Sequence, residues 1–414
     1  MLKIAVMGHG VVGSGVLEVF YKNRAAMERK ASTEMDIKYV LDLRDFPGLP
    51  YSDKFIKDFE LIANDPEIRV VVEVMGGLDP AFSYVKRCLE VGKSVVTSNK
   101  ELVAAKGAEL LRVANEHDVN FFFEASVGGG IPIIRPLHAC LVANQIDEIA
   151  GILNGTTNFI LTKMIREGMS FDDALALAQQ LGYAERNPAA DVEGFDACRK
   201  ICILASLAFG RHVYPEEVHT EGITQLTLED VEYARAWGGV IKLIGRAKRL
   251  PSGKVEAMVS PALVGNDSQL ASVDDVFNAV LVRGDATGDV VFYGKGAGKL
   301  PTASAVVADV VDAVKAQHSS TSLRWEDNPA HDTVQGYFDN EVRMYVRISY
   351  DNFDKAMRAV VDLFGGVKPL YRSGSEDEMA FITGVCTERE MTQRLDALAA
   401  RGIPVLGKIR VLDY

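Results

Sequence analysis

Residues 3–7, KIAVM, are a short apolar run that ends at a glycine-spaced turn, Gly8-His9-Gly10-Val11-Val12-Gly13. Beyond it Val16, Leu17, Val19 and Phe20 recur with helical spacing. A strand, a GxGxxG turn and a helix in direct succession predict the opening of a doubly wound parallel sheet that binds a dinucleotide. The first glycine permits the tight turn, the second lets backbone approach a pyrophosphate, and the third lets the helix pack on the strand. The helix N-terminus then offers free N–H groups and a positive dipole end to phosphate.

Further strands of the same sheet are expected at 37–41, 70–74, 94–97 and 120–123, with a helix over 80–91. An acid at the end of the second strand favours the ribose hydroxyls of NAD, and a nearby arginine favours the 2′-phosphate of NADP. Asp42, Arg44 and Asp45 all stand there, so this signal is mixed; Arg44 tilts toward NADP, and a surface charge cluster is the other reading. Thr97, Ser98 and Lys100 lie at the carboxyl end of the 94–97 strand, where ligands of such sheets bind. Position makes Lys100 a candidate, whereas a lone loop lysine is ordinarily solvated. Glu124 to Pro132, with three glycines, either aims several carbonyls at a hard cation or forms a tight crossover between domains.

Composition bounds the rest. The 414 residues carry 45 basic and 57 acidic side chains, a net charge of −12 that argues against nucleic acid or an anionic membrane as partner. Length favours roughly three domains. Cys88, Cys140, Cys198, Cys202 and Cys386 form no CxxC pair, and read as reduced thiols of a cytoplasmic protein. The N-terminus lacks a signal-peptide pattern, and no apolar run is long enough to span a membrane.

The middle of the chain reads as a separate α+β domain. A strand is expected at 146–153, then a helix presenting Ile160, Leu161, Met164 and Ile165, then one over 171–181 capped by Ser170 and ended by Gly182. The stretch 181–200, LGYAERNPAADVEGFDACRK, concentrates Glu185, Asp191, Glu193 and Asp196 with Arg186, Arg199 and Lys200. Asp196 and Lys200 share a helical face, and Pro188 puts Glu185 and Asp191 on irregular backbone. Such a stretch could hold a small zwitterion beside a proton donor, or be a solvated helix start with one ion pair. A helix over 226–237 and strands at 240–247 and 255–259 follow. Tyr293 to Gly298 reads as a second glycine-rich loop before a helix at 302–316. The polar stretch 317–335 reads as a linker, and 336–414 as a βαββαβ, ferredoxin-like module. The expected domains are 1–133 for the dinucleotide, 134–292 for substrate and dimerisation, 293–316 returning to the first domain, 317–335 as linker, and 336–414.

The segments GHGVVGSG, VTSNKEL, FEASVGGGIPII, GILNGTTNFIL, LGYAE, DVEGFDACRK and GKGAGKLPTASAV together resemble the homoserine dehydrogenase family over residues 1–316. The C-terminal module is similar to ACT domains. The resemblance implies reduction of L-aspartate 4-semialdehyde to L-homoserine with NADH or NADPH, in threonine and methionine biosynthesis. It implies that Lys100 and Lys200 flank the reacting carbonyl, with Lys200 the proton donor. Glu185 and Asp191 would take the substrate's ammonium region, and Asp196 would orient the amino-acid end or the lysine. Gly8, Gly10, Val11, Val12, Gly13, Arg44, Thr97, Ser98, Lys100, Gly182 and Gly296 would line the cofactor. Glu124 with the carbonyls of Val127, Gly129 and Ile131 would hold a structural sodium ion. A homodimer or higher homo-oligomer is implied, without a fused kinase because the first strand starts at residue 2. Two close lysines are expected to depress each other's pKa. The chain departs from the pattern at Asn187, where an aspartate is common, and at Asp351-Asn352-Phe353, where a glycine often follows the first ACT strand; the second departure puts threonine inhibition in doubt. Two other functions stay open: reduction of another small amino-acid aldehyde, and amino-acid sensing without turnover.

Overall fold

The computed structural model describes residues 1–316 and 323–414. The first sheet joins β1 (Leu2–Met7), β2 (Met35–Leu41), β3 (Phe55–Ile56), β4 (Ile68–Glu73), β5 (Ser94–Thr97) and β6 (Phe121–Phe122). All pairs are parallel, in the order β3-β2-β1-β4-β5-β6. The order reverses direction between β1 and β4, so a crevice opens at their carboxyl ends. The inner strands β1, β4 and β5 are largely apolar and buried because both faces are covered. α1 (Val11–Ala31) packs on one face together with a helix of residues 299–315. On the other lie α2 (Glu60–Ala63), α3 (Ala81–Glu90) and α4 (Lys100–Glu116).

The second sheet is built on β7 (Ile146–Ile152), β8 (His219–Thr220), β9 (Gly239–Arg249), β10 (Val255–Gly265), β11 (Phe277–Gly284) and β12 (Gly288–Lys295). The β11–β12 hairpin has no counterpart in the sequence reading, and it takes Tyr293 to Lys295 out of the expected loop, which starts only at Gly296. Covering this sheet are α5 (Gly155–Glu167), α6 (Phe171–Gln180), α7 (Ala189–Val192), α8 (Phe195–Phe209) and α9 (Leu228–Trp237). Asp191 therefore sits on a one-turn helix rather than irregular backbone. α10 (Lys299–Lys315) returns to the first sheet and lies along α1, where a Cβ on Gly15 would meet the Lys299 carbonyl at 2.9 Å.

The C-terminal region contains β13 (Glu341–Val342), β14 (Met344–Ser349), α11 (Phe353–Phe364), β15 (Lys368–Leu370), β16 (Glu378–Ile382), β17 (Cys386–Thr387), α12 (Glu388–Ala400) and β18 (Val405–Leu412). The long strands run β18-β14-β16-β15, antiparallel, with α11 and α12 packed on one apolar face. They do not form a detached sheet. β18 pairs in parallel with β10, Ala262 opposite Arg410 through Val264 opposite Leu412, so one ten-stranded sheet runs through both regions. Two buried arginines reinforce the seam. Arg410 donates to both carboxylate oxygens of Glu221 at 2.8 and 2.9 Å and to Glu388 at 2.7 Å, and Arg347 pairs with Asp230 at 2.9 Å. Of the expected linker, 317–322 lies outside the described residues. Residues 323–335 are a packed strap with Leu323 and Trp325 buried.

Candidate active site

The glycine turn shows the stereochemistry its spacing demands. Gly8 has φ +101°, and a Cβ there would sit 2.9 Å from the Val74 carbonyl. A Cβ on Gly13 would stand 2.0 Å from the Gly8 carbonyl, so helix and strand can approach only with glycine. Gly10, at the N-terminus of α1, faces open space, Val11 is exposed and Val12 half-buried. A cavity of about 450 Å³ opens beside it, lined by Gly8, Gly10, Asp42, Arg44, Lys57 and Tyr84 among others. Asp42 accepts from the His9 amide at 2.8 Å and from Arg44 Nε and Nη2 at 3.0 and 2.9 Å. The Arg44 guanidinium holds the Asp42 carboxyl well below the usual carboxylate range. The mixed acid and arginine signal is thus one bidentate pair at the rim of the cavity.

Across the crevice, β5 ends at Thr97 and α4 begins at Lys100 because Asn99 caps it, accepting from the Leu102 amide at 3.1 Å. α8 packs on α4 and brings Asp196 and Lys200. The buried Asp196 carboxylate lies between two ammonium groups. Lys100 Nζ is 2.6 Å from Oδ1, and Lys200 Nζ is 2.8 Å from Oδ2. Lys200 also donates to the Leu153 carbonyl at 2.7 Å. Asn154 caps α5 with its Oδ1, and its Nδ2 donates to Asp191 at 2.7 Å and to Asp196 at 2.9 Å. Two lysines from the two sheets therefore meet on one carboxylate.

The charges are uneven. Burial would raise Asp196, but the charges of Lys200 and Lys100 overcome it and hold the carboxyl well below its ordinary range. Burial lowers the Lys200 pKa, Lys100 adds to the lowering, and Asp196 only partly opposes it. For Lys100 burial also lowers, but the Asp196 charge wins and the pKa is raised. Depression by the other lysine thus acts on Lys200 and fails for Lys100, because at Lys100 the Asp196 carboxylate outweighs burial. Asp191 is pushed up by burial and then by the Asp196 charge.

The other site residues named from sequence are placed less centrally. Glu185 is exposed, and its carboxylate pairs with none of the described residues. Gly182 is exposed, with φ +76°, just after α6. The Thr97 hydroxyl points inward, donating to the buried Glu73 at 2.6 Å and accepting from the Asn99 amide, so only its backbone can face the crevice. Ser98 is half-buried beside it. Gly296 packs against Asn278, and a Cβ on Gly129 would strike the Gly296 carbonyl at 2.3 Å, so the two glycine loops abut. The Glu124 carboxylate does not point into a carbonyl cage. It accepts from the amides of Ile133, Ile134 and Arg135 at 2.6–2.8 Å. Asn154 and Glu73 were missed. Asn154 had a signal, a capping asparagine between a strand and Gly-Thr-Thr; Glu73 had none, since only the fold shows it buried.

Residues 8–124 match the family model of the homoserine dehydrogenase NAD-binding domain, and residues 132–311 match that of homoserine dehydrogenase. The homoserine dehydrogenase of Synechocystis sp. is 46% identical over 339 residues, covering 80% of this chain and 77% of that protein. A homoserine dehydrogenase from Thiobacillus denitrificans superposes with a TM-score of 0.91 at 37% identity, covering 100% of this chain and 98% of that one. A hyperthermophilic archaeal homoserine dehydrogenase in complex with NADPH gives 0.65 at 30% identity, covering 75% of this chain and 97% of that one. With the glycine-turn crevice and the lysine pair already in place, these matches mean that the chain belongs to the homoserine dehydrogenase family of NAD(P)-dependent oxidoreductases.

Proposed function

We propose that the chain interconverts L-aspartate 4-semialdehyde and L-homoserine, serving threonine and methionine biosynthesis. The observation that carries this reading is Asp196 held between Lys100 and Lys200. A nicotinamide cofactor, when bound, would supply the hydride to the aldehyde carbon. Negative charge then grows on the aldehyde oxygen, and an ammonium within reach both stabilises it and gives it a proton. Lys200 is that donor. Its buried setting weakens its hold on the proton, and the Leu153 carbonyl and Asp196 fix its nitrogen. Lys100, kept charged by Asp196, supplies the second positive charge. Asp191, tied to Asp196 through Asn154, receives the substrate ammonium, with Glu185 at the outer end.

The glycine turn and the open face at Gly10 suit a pyrophosphate on the α1 N-terminus. Arg44 and Lys57 at the cavity rim favour NADP, with NAD also accepted. A sodium ion fits the loop after Glu124. Among the described residues none donates to the carbonyls of Val127, Gly129 or Ile131, and these would hold it. Glu124 would serve by fixing the loop through its three amide contacts. The C-terminal module is read as ACT-like. Asn352 fills the turn after its first strand by capping α11, accepting from the Lys355 amide at 2.9 Å. The enzyme works as a homodimer or higher oligomer in the cytoplasm.

The test is steady-state kinetics of the purified chain with aspartate semialdehyde and each reduced nicotinamide, with and without threonine, against a panel of other small aldehydes. Oxidation of neither nicotinamide, or faster turnover of another aldehyde, would overturn the assignment.

A further inference from the structure

The helices that carry the two lysines meet at Asp196, and they are joined a second time further along. One turn after Lys100, the Ala104 carbonyl accepts from His212 Nε2 at 2.8 Å. His212 is buried just beyond the end of α8. Its Nδ1 accepts from the indole N–H of Trp325 at 3.0 Å. An indole can only donate, so Nδ1 must be the acceptor and the ring proton sits on Nε2, aimed at α4. Burial lowers the His212 pKa and keeps that neutral form. Trp325 is itself pressed into α4, because a Cβ on Gly107 would lie 2.5 Å from its Cζ2. The strap is fastened to the end of α8 by backbone, His212 donating to the Glu326 carbonyl at 2.8 Å and Glu326 to the Gly210 carbonyl at 2.9 Å.

We propose that Trp325 and His212 are positioning residues that set the register of α4 against α8 and so keep Lys100 on Asp196. The inference rests on the dehydrogenase reading above. Lys100 and Ala104 are roughly 6 Å apart along the helix axis. A slip of α4 at Ala104 is therefore passed whole to the Lys100 end. There, besides apolar packing, the other side-chain ion pair between α4 and α8 among the described residues is the looser Glu101–Arg199 pair at 3.3 Å. A misplacement of about 1 Å in a catalytic group costs up to about a hundredfold in rate. The phosphate-binding turn at Gly8 to Gly13 belongs to α1 and is not touched by the strap.

The experiment compares His212→Leu, His212→Gln, Trp325→Phe and Tyr214→Phe with the unaltered chain, whose own turnover first establishes the reaction. Gln keeps a donor where Nε2 stood, and Trp325→Phe keeps the ring but not its N–H. Tyr214→Phe removes a strap bond to Asp327 that does not reach α4. Expected are a kcat lower by about tenfold or more in H212L, a smaller fall in W325F, and a kcat within a few-fold of the original in H212Q and Y214F. The cofactor KM stays unchanged throughout. Acylation of Lys100, read by mass spectrometry, is faster in H212L. Equal kcat in H212L and H212Q, or a fall in Y214F as large as in H212L, would overturn the proposal while leaving the dehydrogenase reading intact.

Discussion

Asp196→Asn is the sharpest perturbation of the site. The side chain keeps its volume but loses the charge that two ammonium groups share. An asparagine can accept on one oxygen only; its amide nitrogen, a donor, would then face either Lys100 or both Lys200 and Asn154, which are donors themselves. Unit charges about 4 Å apart at an effective dielectric near 20 interact by about 4 kcal/mol. That is the order of attraction Lys200, the more buried lysine, would lose. At about 1.4 kcal/mol per tenfold, the proton affinity of Lys200 would fall by up to about a thousandfold. Asp191, relieved of Asp196's charge, recovers part of this, so a thousandfold is an upper bound on the loss of kcat. The sign is fixed by the role of the proton. Removing a carboxylate weakens the lysine's hold on it, so residual reduction should rise as pH falls. The assay is kcat for aldehyde reduction across pH under saturating cofactor. A variant within tenfold of the original, with the same pH profile, would refute the reasoning.

Lys200→Ala should lower kcat by orders of magnitude while cofactor binding, followed by nicotinamide fluorescence, is retained. Arg44→Ala should raise KM for NADPH more than KM for NADH, because Arg44 stands exposed at the cavity rim; equal effects would free it of any role in reading the phosphate. Asp309 is buried against Glu124 and pushed up to about 8 despite Arg135, so the native state holds a proton that the unfolded chain releases. Its contribution is present below about pH 4, the unfolded value, and lost as pH rises through about 8. Asp309→Asn should therefore gain in Tm on the unaltered chain across that window. Arg410→Met leaves Glu221 and Glu388 without their shared partner and should cost about 3–5 kcal/mol in urea unfolding.

Local rules made the first sheet readable. The β1 turn, the Ser94–Thr97 strand and the Ser170 cap follow from glycine spacing, β-branched runs and capping residues, whose causes lie within a few positions. The βαββαβ order at the C-terminus was legible for the same reason. What was lost needed distant partners. Trp325 sits in a polar stretch and is buried by residues far upstream, against Phe123 and His212 and over Gly107, which leaves room for its ring. The β11–β12 hairpin carries its charges near the strand ends, where Arg283 pairs with Asp289, and its buried run Ala279 to Val282 shows no alternation to separate a strand from a helix. Glu124 was read as a source of charge for a cation, while the fold spends it on three amides nine to eleven residues on. Lys100 and Lys200 could be named, but the carboxylate oxygen each would occupy could not.

The parallel pairing of β10 with β18 has a consequence for how this chain tolerates being cut or spliced. Ending it after α10 would not trim off an ornament. Unpaired N–H and C=O groups along β10 would become a sticky rim, ready to recruit another chain's strand. The same continuity means that a twist imposed anywhere in the last third of the polypeptide travels by hydrogen-bonded backbone into the strands beneath α8, without any hinge to absorb it.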